Sequence, residues 1–187
     1  MRGTTLGLGG AAVAGAASGL YVLVVRGALT LDLGVGRRTR ALGPQTVDIA
    51  APRDVVFEVI AAPYRRTPRA MREKLEVLER AEDMVLAAHH TAVGHGLTTT
   101  TVETVRFEPP ERVSFRLVRG PVPHVTETFD LAETAEGTEL LYTGELGTDG
   151  WGLGARWGAL VARSWEETVA TSLAAISDEA ERRAGAR

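Results

Sequence analysis

Cysteine is absent from the 187-residue chain, and lysine is reduced to Lys74. Without a thiol there is no disulfide framework, no thiolate nucleophile and no cysteine metal site. No serine sits in a G-x-S-x-G setting, which removes the usual nucleophile elbow. The glycine-rich stretch from Gly147 to Gly154 lacks the lysine of a phosphate loop and follows a strand of hairpin type. It reads as the turn that launches a helix. Of the four histidines, His89 and His90 are adjacent on a strand and point to opposite faces, while His95 and His124 fall in separate turns. That spacing argues against a metal site, and no cofactor is expected.

What remains is an ordinary folded composition, 44% hydrophobic and 24% charged, which excludes a disordered, collagen-like or polytopic membrane chain. The length suits one domain with a short extra segment. The net charge of −3 hides an asymmetry. The first 40 residues hold Arg2, Arg26, Arg37, Arg38 and Arg40 against Asp32, so the rest of the chain is acidic. An acidic body argues against nucleic acid as partner.

Thr4 to Val25 is an uncharged run of 22 residues, long enough to cross a bilayer as a helix. Its most apolar part, Leu20 to Val25, comes last and runs straight into Arg26, the wrong order for a cleaved signal peptide. Residues 1–26 are therefore expected to be an uncleaved single-pass anchor. The arginines that follow would place the body on the cytoplasmic side of the cell membrane. The alternative is a soluble cytoplasmic protein with an N-terminal extension. Gly15 and Gly19 form a GxxxG match, which such a Gly/Ala-rich run produces easily by chance. Residues 27–44, with Gly34, Gly36, Gly43 and Pro44, read as a linker with a short strand over 28–33. The folded domain is expected over 45–187.

Val47 and Ile49 alternate as in a half-buried strand. Pro52 then opens a helix whose apolar face is Val55, Val56, Val59 and Ile60, and which Pro63 should stop. A short second helix covers 68–74. Six strands follow over 75–80, 84–92, 97–107, 113–118, 125–132 and 138–146, with connections short enough for antiparallel hairpins. From Trp151 to about Arg183 the apolar residues Trp157, Val161, Trp165, Val169 and Leu173 recur every four positions. The order β-α-α-β6-α gives an α+β fold. It is a seven-stranded antiparallel curved sheet wrapped around one long C-terminal helix, the helix-grip arrangement.

Val47-Asp-Ile-Ala-Ala-Pro-Arg-Asp-Val-Val-Phe57, Phe107-Glu-Pro-Pro-Glu-Arg-Val113 and Gly137-Thr-Glu-Leu140 together resemble the START-like (SRPBCC) superfamily, in its polyketide cyclase/dehydrase-like group. The resemblance spans about 45–184. It implies binding of a hydrophobic small molecule, such as a lipid, isoprenoid or polyketide, between sheet and helix. The anchor is a departure from the usual soluble member.

Pairing the hairpins about their turns sets Ala87 against Val102, His89 against Thr100, Thr104 against Phe115 and Phe129 against Tyr142. The inward wall then carries His89, Thr104, Arg106, Phe115, Glu127, Phe129 and Tyr142, with Thr100 beside them and Trp157 and Trp165 opposite. These are the candidate cavity residues. An inward Glu127 would need Arg106, Tyr142, a ligand donor or water as partner; a one-residue bulge would turn it to solvent. The reading as a ligand binder, held at the membrane beside its cargo, comes first. An aromatase/cyclase that enolises carbonyls with Arg106, Glu127 and Tyr142 is the alternative. A third is an interaction protein whose vestigial cavity is filled by Phe115, Trp157 and Trp165.

Overall fold

A computed structural model describes residues 18–94 and 96–186. Seven strands form one antiparallel sheet: β1 (Arg38–Ile49), β2 (Leu75–Arg80), β3 (Met84–Gly94), β4 (Leu97–Glu108), β5 (Arg112–Arg119), β6 (His124–Glu133) and β7 (Thr138–Thr148). Their order across the sheet is β1-β7-β6-β5-β4-β3-β2. Consecutive strands from β2 to β7 are hairpin neighbours, and β1 closes the far edge against β7. The helices are α1 (Arg53–Arg65) and α2 (Trp151–Gly185), with a single 3-10 turn at Arg69–Met71. This is the helix-grip fold read from the periodicities.

The helix α2 is 35 residues long, about 52 Å at 1.5 Å per residue, enough to run the length of the sheet. Its seat against the sheet is made by Gly158, Ala162, Val169, Leu173 and Ala180. The small residues let the backbones approach: a Cβ on Gly158 would lie 3.1 Å from Thr148. Trp157, Val161 and Trp165 flank that seat and are only half-buried. Pro63 lies inside α1 rather than ending it, and the helix continues far enough to bury Tyr64.

Two expectations at the N-terminal side change. The strand β1 begins at Arg38, seven residues before the expected start of the domain. Its bulge between Leu42 and Gln45 absorbs Gly43 and Pro44, whose turn chemistry had suggested a linker. No strand forms over 28–33. The expected membrane anchor is not supported either. Residues 1–17, with most of that segment and one glycine of the GxxxG match, lie outside the described residues. Among the described residues no helix is long and apolar enough to cross a membrane.

Residues 18–25 are helical, and Val24 and Val25 are buried against the domain. The chain from there to β1 is tied down at successive points. The carbonyl of Val25 accepts from Thr99 Oγ1 at 2.6 Å, and that of Arg26 from the Thr100 N–H at 3.0 Å. These bonds use the edge of β4 beyond the last β5 pair, Val102 with Arg119. The Thr30 hydroxyl donates to the Gly120 carbonyl and accepts from its N–H. The Asp149 carboxylate takes the Leu33 and Gly34 N–H groups and the Arg37 guanidinium. Residues 18–37 thus form a strap across one end of the grip, where β5, β7 and β3 end and β4, β6, β1 and α2 begin. The helix α1 closes the other end, where Arg53 pairs with Glu133 across 3.2 Å.

Candidate functional site

Antiparallel pairing decides which side chains enter the grip. Between β6 and β7, Phe129 pairs with Tyr142, Leu131 with Leu140 and Glu127 with Gly144, as the turn at 135–136 predicts. Glu127 points inward and is 8% exposed. Its Oε1 accepts the Tyr142 hydroxyl at 2.6 Å and the Trp165 indole N–H at 2.7 Å. A Cβ at Gly144 would press on the Glu127 Cγ at 3.1 Å, so the missing side chain makes room for this carboxylate.

On β4 the register differs from expectation. A bulge between Ala92 and Gly94 advances the strand by one residue. Ala87 therefore pairs with Glu103 and His89 with Thr101. The turn into β5 takes three residues, 109–111, so Val105 lies opposite Phe115 and Glu103 opposite Leu117. Thr101, Glu103, Val105 and Phe107 face the grip. Thr100, Thr104 and Arg106 lie on the outer face, where Thr100 meets His90 and Arg106 approaches Asp83 at 3.6 Å. Thr104 and Arg106 are thereby removed from the candidate site.

Glu103 takes the place expected for Arg106. It is 5% exposed, and its Oε2 lies 3.2 Å from His89 Nδ1. The other ring nitrogen, Nε2, lies 3.0 Å from the Tyr64 hydroxyl. A carboxylate at Nδ1 fixes the ring and favours a proton there. The inward wall thus holds two linked polar groups, Glu103–His89–Tyr64 and Glu127–Tyr142–Trp165. Both sit among Phe107, Phe115, Leu117 and Phe129, with Phe115 and Phe129 edge to face at 5.3 Å.

Burial disfavours charge on Glu127, and the nearby Glu103 adds to the effect. The bonds from Tyr142 and Trp165 and the charge of His89 pull the other way, and the carboxyl ends at about 7. Burial alone would lower the His89 pKa. The Glu103 bond and the charges of Glu103 and Glu127 outweigh it, so the imidazole holds its proton above the ordinary range. The Tyr64 and Tyr142 hydroxyls are pushed up, first by burial and then by these carboxylates. Both stay neutral, and Tyr142 donates to Glu127. Arg80 donates to the Tyr64 backbone carbonyl, but among the described residues no arginine or lysine bonds to the side chains of this cluster.

Of the expected cavity residues, His89, Phe115, Glu127, Phe129, Tyr142 and Trp165 converge in the grip. Trp157 stands at its strapped end, where its indole N–H donates to the Pro121 carbonyl at 2.8 Å and its ring meets Tyr21 edge on. Glu103 and Tyr64 were missed. Tyr64 follows Phe57 and Ile60 at helical spacing, a signal masked by the assumption that Pro63 ends the helix. The inward Phe115, Leu117, Trp157 and Trp165 stay half-buried, so the two walls do not close completely on each other. A broad depression of about 550 Å³ lies instead on the outer face, lined by Thr104, Arg106, Arg116, Thr126 and Glu145 among others.

Residues 44–181 match the family described as polyketide cyclase / dehydrase and lipid transport. Among solved structures, the chain is similar to the Zhui aromatase/cyclase from Streptomyces sp. R1128. The TM-score is 0.65 at 23% identity, covering 79% of this chain and 95% of that one. It is also similar to the di-domain aromatase/cyclase StfQ from the steffimycin biosynthetic pathway, with a TM-score of 0.63 at 19% identity over 80% of this chain and 52% of that one. A third similar structure is the protein TTHA0849 from Thermus thermophilus, with a TM-score of 0.54 at 20% identity, covering 77% and 94%. At these identities the likeness is one of fold. No curated protein matches the sequence.

Proposed function

The chain belongs to the polyketide cyclase/dehydrase and lipid transport family, and on that premise we propose that its grip binds a small, mainly apolar molecule with one polar end. The observation that carries this reading is the pair of buried carboxyls, Glu103 and Glu127, set into an aromatic wall that is not fully covered. An apolar wall with a few convergent polar groups suits an amphipathic ligand. Glu127 offers acceptors, and among the described residues no arginine or lysine bonds to the buried side chains around it. The polar end therefore carries hydrogen-bond donors, such as hydroxyls or an amine, rather than a carboxylate or phosphate.

A second reading is supported by the protonation of Glu127. A carboxyl at about 7 can hold and release a proton at neutral pH. Placed beside Tyr142 and facing the Glu103–His89 pair, it suits proton transfer on a polyketide-like chain, the enzyme alternative without Arg106. Loss of turnover in Glu127→Gln, with ligand binding retained, would favour it.

The test of the binding reading is native mass spectrometry of the full chain purified from its own host, with the organic extract analysed beside it. A co-purifying small molecule, lost in Phe115→Trp, is the expected result. An empty chain that also ignores a panel of lipids, isoprenoids and polyketide mimics would overturn it.

A further inference from the structure

Among the described residues, ten of the twelve exposed large apolar side chains come from two segments, 20–35 and 151–160. The fold joins these segments at one end of the grip. The Gly150 N–H donates to the Val35 carbonyl and the Trp151 N–H to that of Gly36, each at 3.0 Å. The Tyr21 ring packs edge on against Trp157 at 6.1 Å between centroids. Asp149 binds the strap through Leu33, Gly34 and Arg37. Leu23, Leu33, Trp151, Leu153 and Leu160 thus belong to one surface, and Leu153 is 79% exposed. Trp151 sits at φ 52°, a conformation that side chains avoid, with its ring against Gly36 and 61% of the residue exposed. Its packing on Gly36 ties the strap to the start of α2 and still leaves most of the indole in solvent.

The unpaired cationic side chains around this surface are all arginines. Arg26, Arg38, Arg119 and Arg156 are exposed, and among the described residues none has an acidic partner. Of the acids at this end, Asp32 and Asp149 pair with Arg37, while Glu145 lies within hydrogen-bond distance of His124. On α2, Leu153, Arg156, Leu160 and Arg163 follow at helical spacing along one face, all exposed. Alternating leucine and arginine on one face is the chemistry of a lipid interface. The acidic remainder of the domain would be held away from an anionic surface.

We infer that the strapped end of the grip docks on an anionic lipid surface, with Leu153, Leu160, Trp151 and the strap leucines entering the interface and the arginines contacting headgroups. This is peripheral docking of the folded domain, not a transmembrane span. It places the strap against the bilayer. The inference stands apart from the ligand reading, since vesicle binding and co-purification of a ligand are read separately.

The test is co-sedimentation of the full chain with vesicles of phosphatidylcholine alone and of phosphatidylcholine mixed with phosphatidylglycerol. The wild type should pellet preferentially with the anionic vesicles, with a blue shift of tryptophan emission. The double variant L153D/L160D should bind at least about tenfold more weakly. Arg156→Glu should lose about fivefold or more on anionic vesicles only, the effect of one basic residue near such a surface. All three substitutions are at exposed positions, and unchanged thermal unfolding would verify their folds. Three results would overturn the inference. One is a wild type that ignores both vesicles. Another is equal binding to both. The third is a double variant that binds like the wild type, which would assign binding to the N-terminal run alone.

Discussion

Glu127 should make the folded state less stable as pH rises, and Glu127→Gln should remove that loss. The carboxyl is 8% exposed and shares the grip with Glu103. Its pKa rises from an ordinary 4.5 to about 7. The folded state therefore holds this proton more tightly than the unfolded chain. Stability falls as pH rises from about 4.5 to 7 and stays lowered above that. The shift corresponds to about 3 kcal/mol. A glutamine keeps Oε1 as acceptor for Tyr142 and Trp165 but has no charge to bury.

The assay is urea unfolding of both proteins at pH 5 and pH 8. The stability difference, variant minus wild type, should grow by about 2.5 kcal/mol between the two, since part of the loss is already present at pH 5, a relative midpoint shift of about 1 M or more. His89 also titrates in this range. Its raised pKa contributes stability that is present below 6.5 and lost as pH rises through the folded value. That has the same sign, and because the Glu127 charge helps to raise the His89 pKa, the double difference reads Glu127 together with its coupling to His89. A double difference below about 1 kcal/mol would refute the reasoning. It would mean that Glu127 stays ionised at pH 5, reached by water or by a partner cation.

Tyr142→Phe removes one of the two donors to Glu127 Oε1, so it should raise the Glu127 pKa further and cost about 1–2 kcal/mol of stability; a carboxyl-carbon NMR titration beside urea unfolding checks both. Asp149→Asn keeps the shape but loses the charge that gathers Leu33, Gly34 and Arg37. Trypsin should then cut after Arg26 and Arg37 about tenfold faster, read by timed digestion, while the domain from β1 onward stays intact.

Much of the fold was legible because each element carries its own period. The six hairpin strands were found to within three residues at each end, and the long helix to within about two. The turn at 135–136 set β6 against β7, which placed Glu127, Phe129 and Tyr142 correctly. The strap was not legible. Leu20 to Val25 is as apolar as a membrane segment, and only tertiary bonds to Thr99, Thr100 and Gly120 show part of it committed to the domain. Asp149 likewise read as a turn residue, though its role is to gather distant backbone N–H groups.

The consequential miss is the register of β4, because it changes the sign of the charge in the grip. Its two faces read Thr100, Val102, Thr104, Arg106 and Thr101, Glu103, Val105, Phe107. Both begin with threonine and both include one charge, so alternation alone hardly separates them. The second face has two apolar residues and the first only one. That difference favours the observed side once the bulge near Gly94 is allowed. With Arg106 inside, Glu127 would have had a counter-ion and the cavity could have held an enolate or a carboxylate. With Glu103 inside, two carboxyls share His89, and one of them relaxes by keeping a proton near neutral pH. A single unpaired residue in a turn thus moves a cation out of the grip and a carboxyl in, which under the proposed function favours a ligand end that donates hydrogen bonds. Competition between ligands matched in shape but ending in a carboxylate or a hydroxyl would read that difference directly.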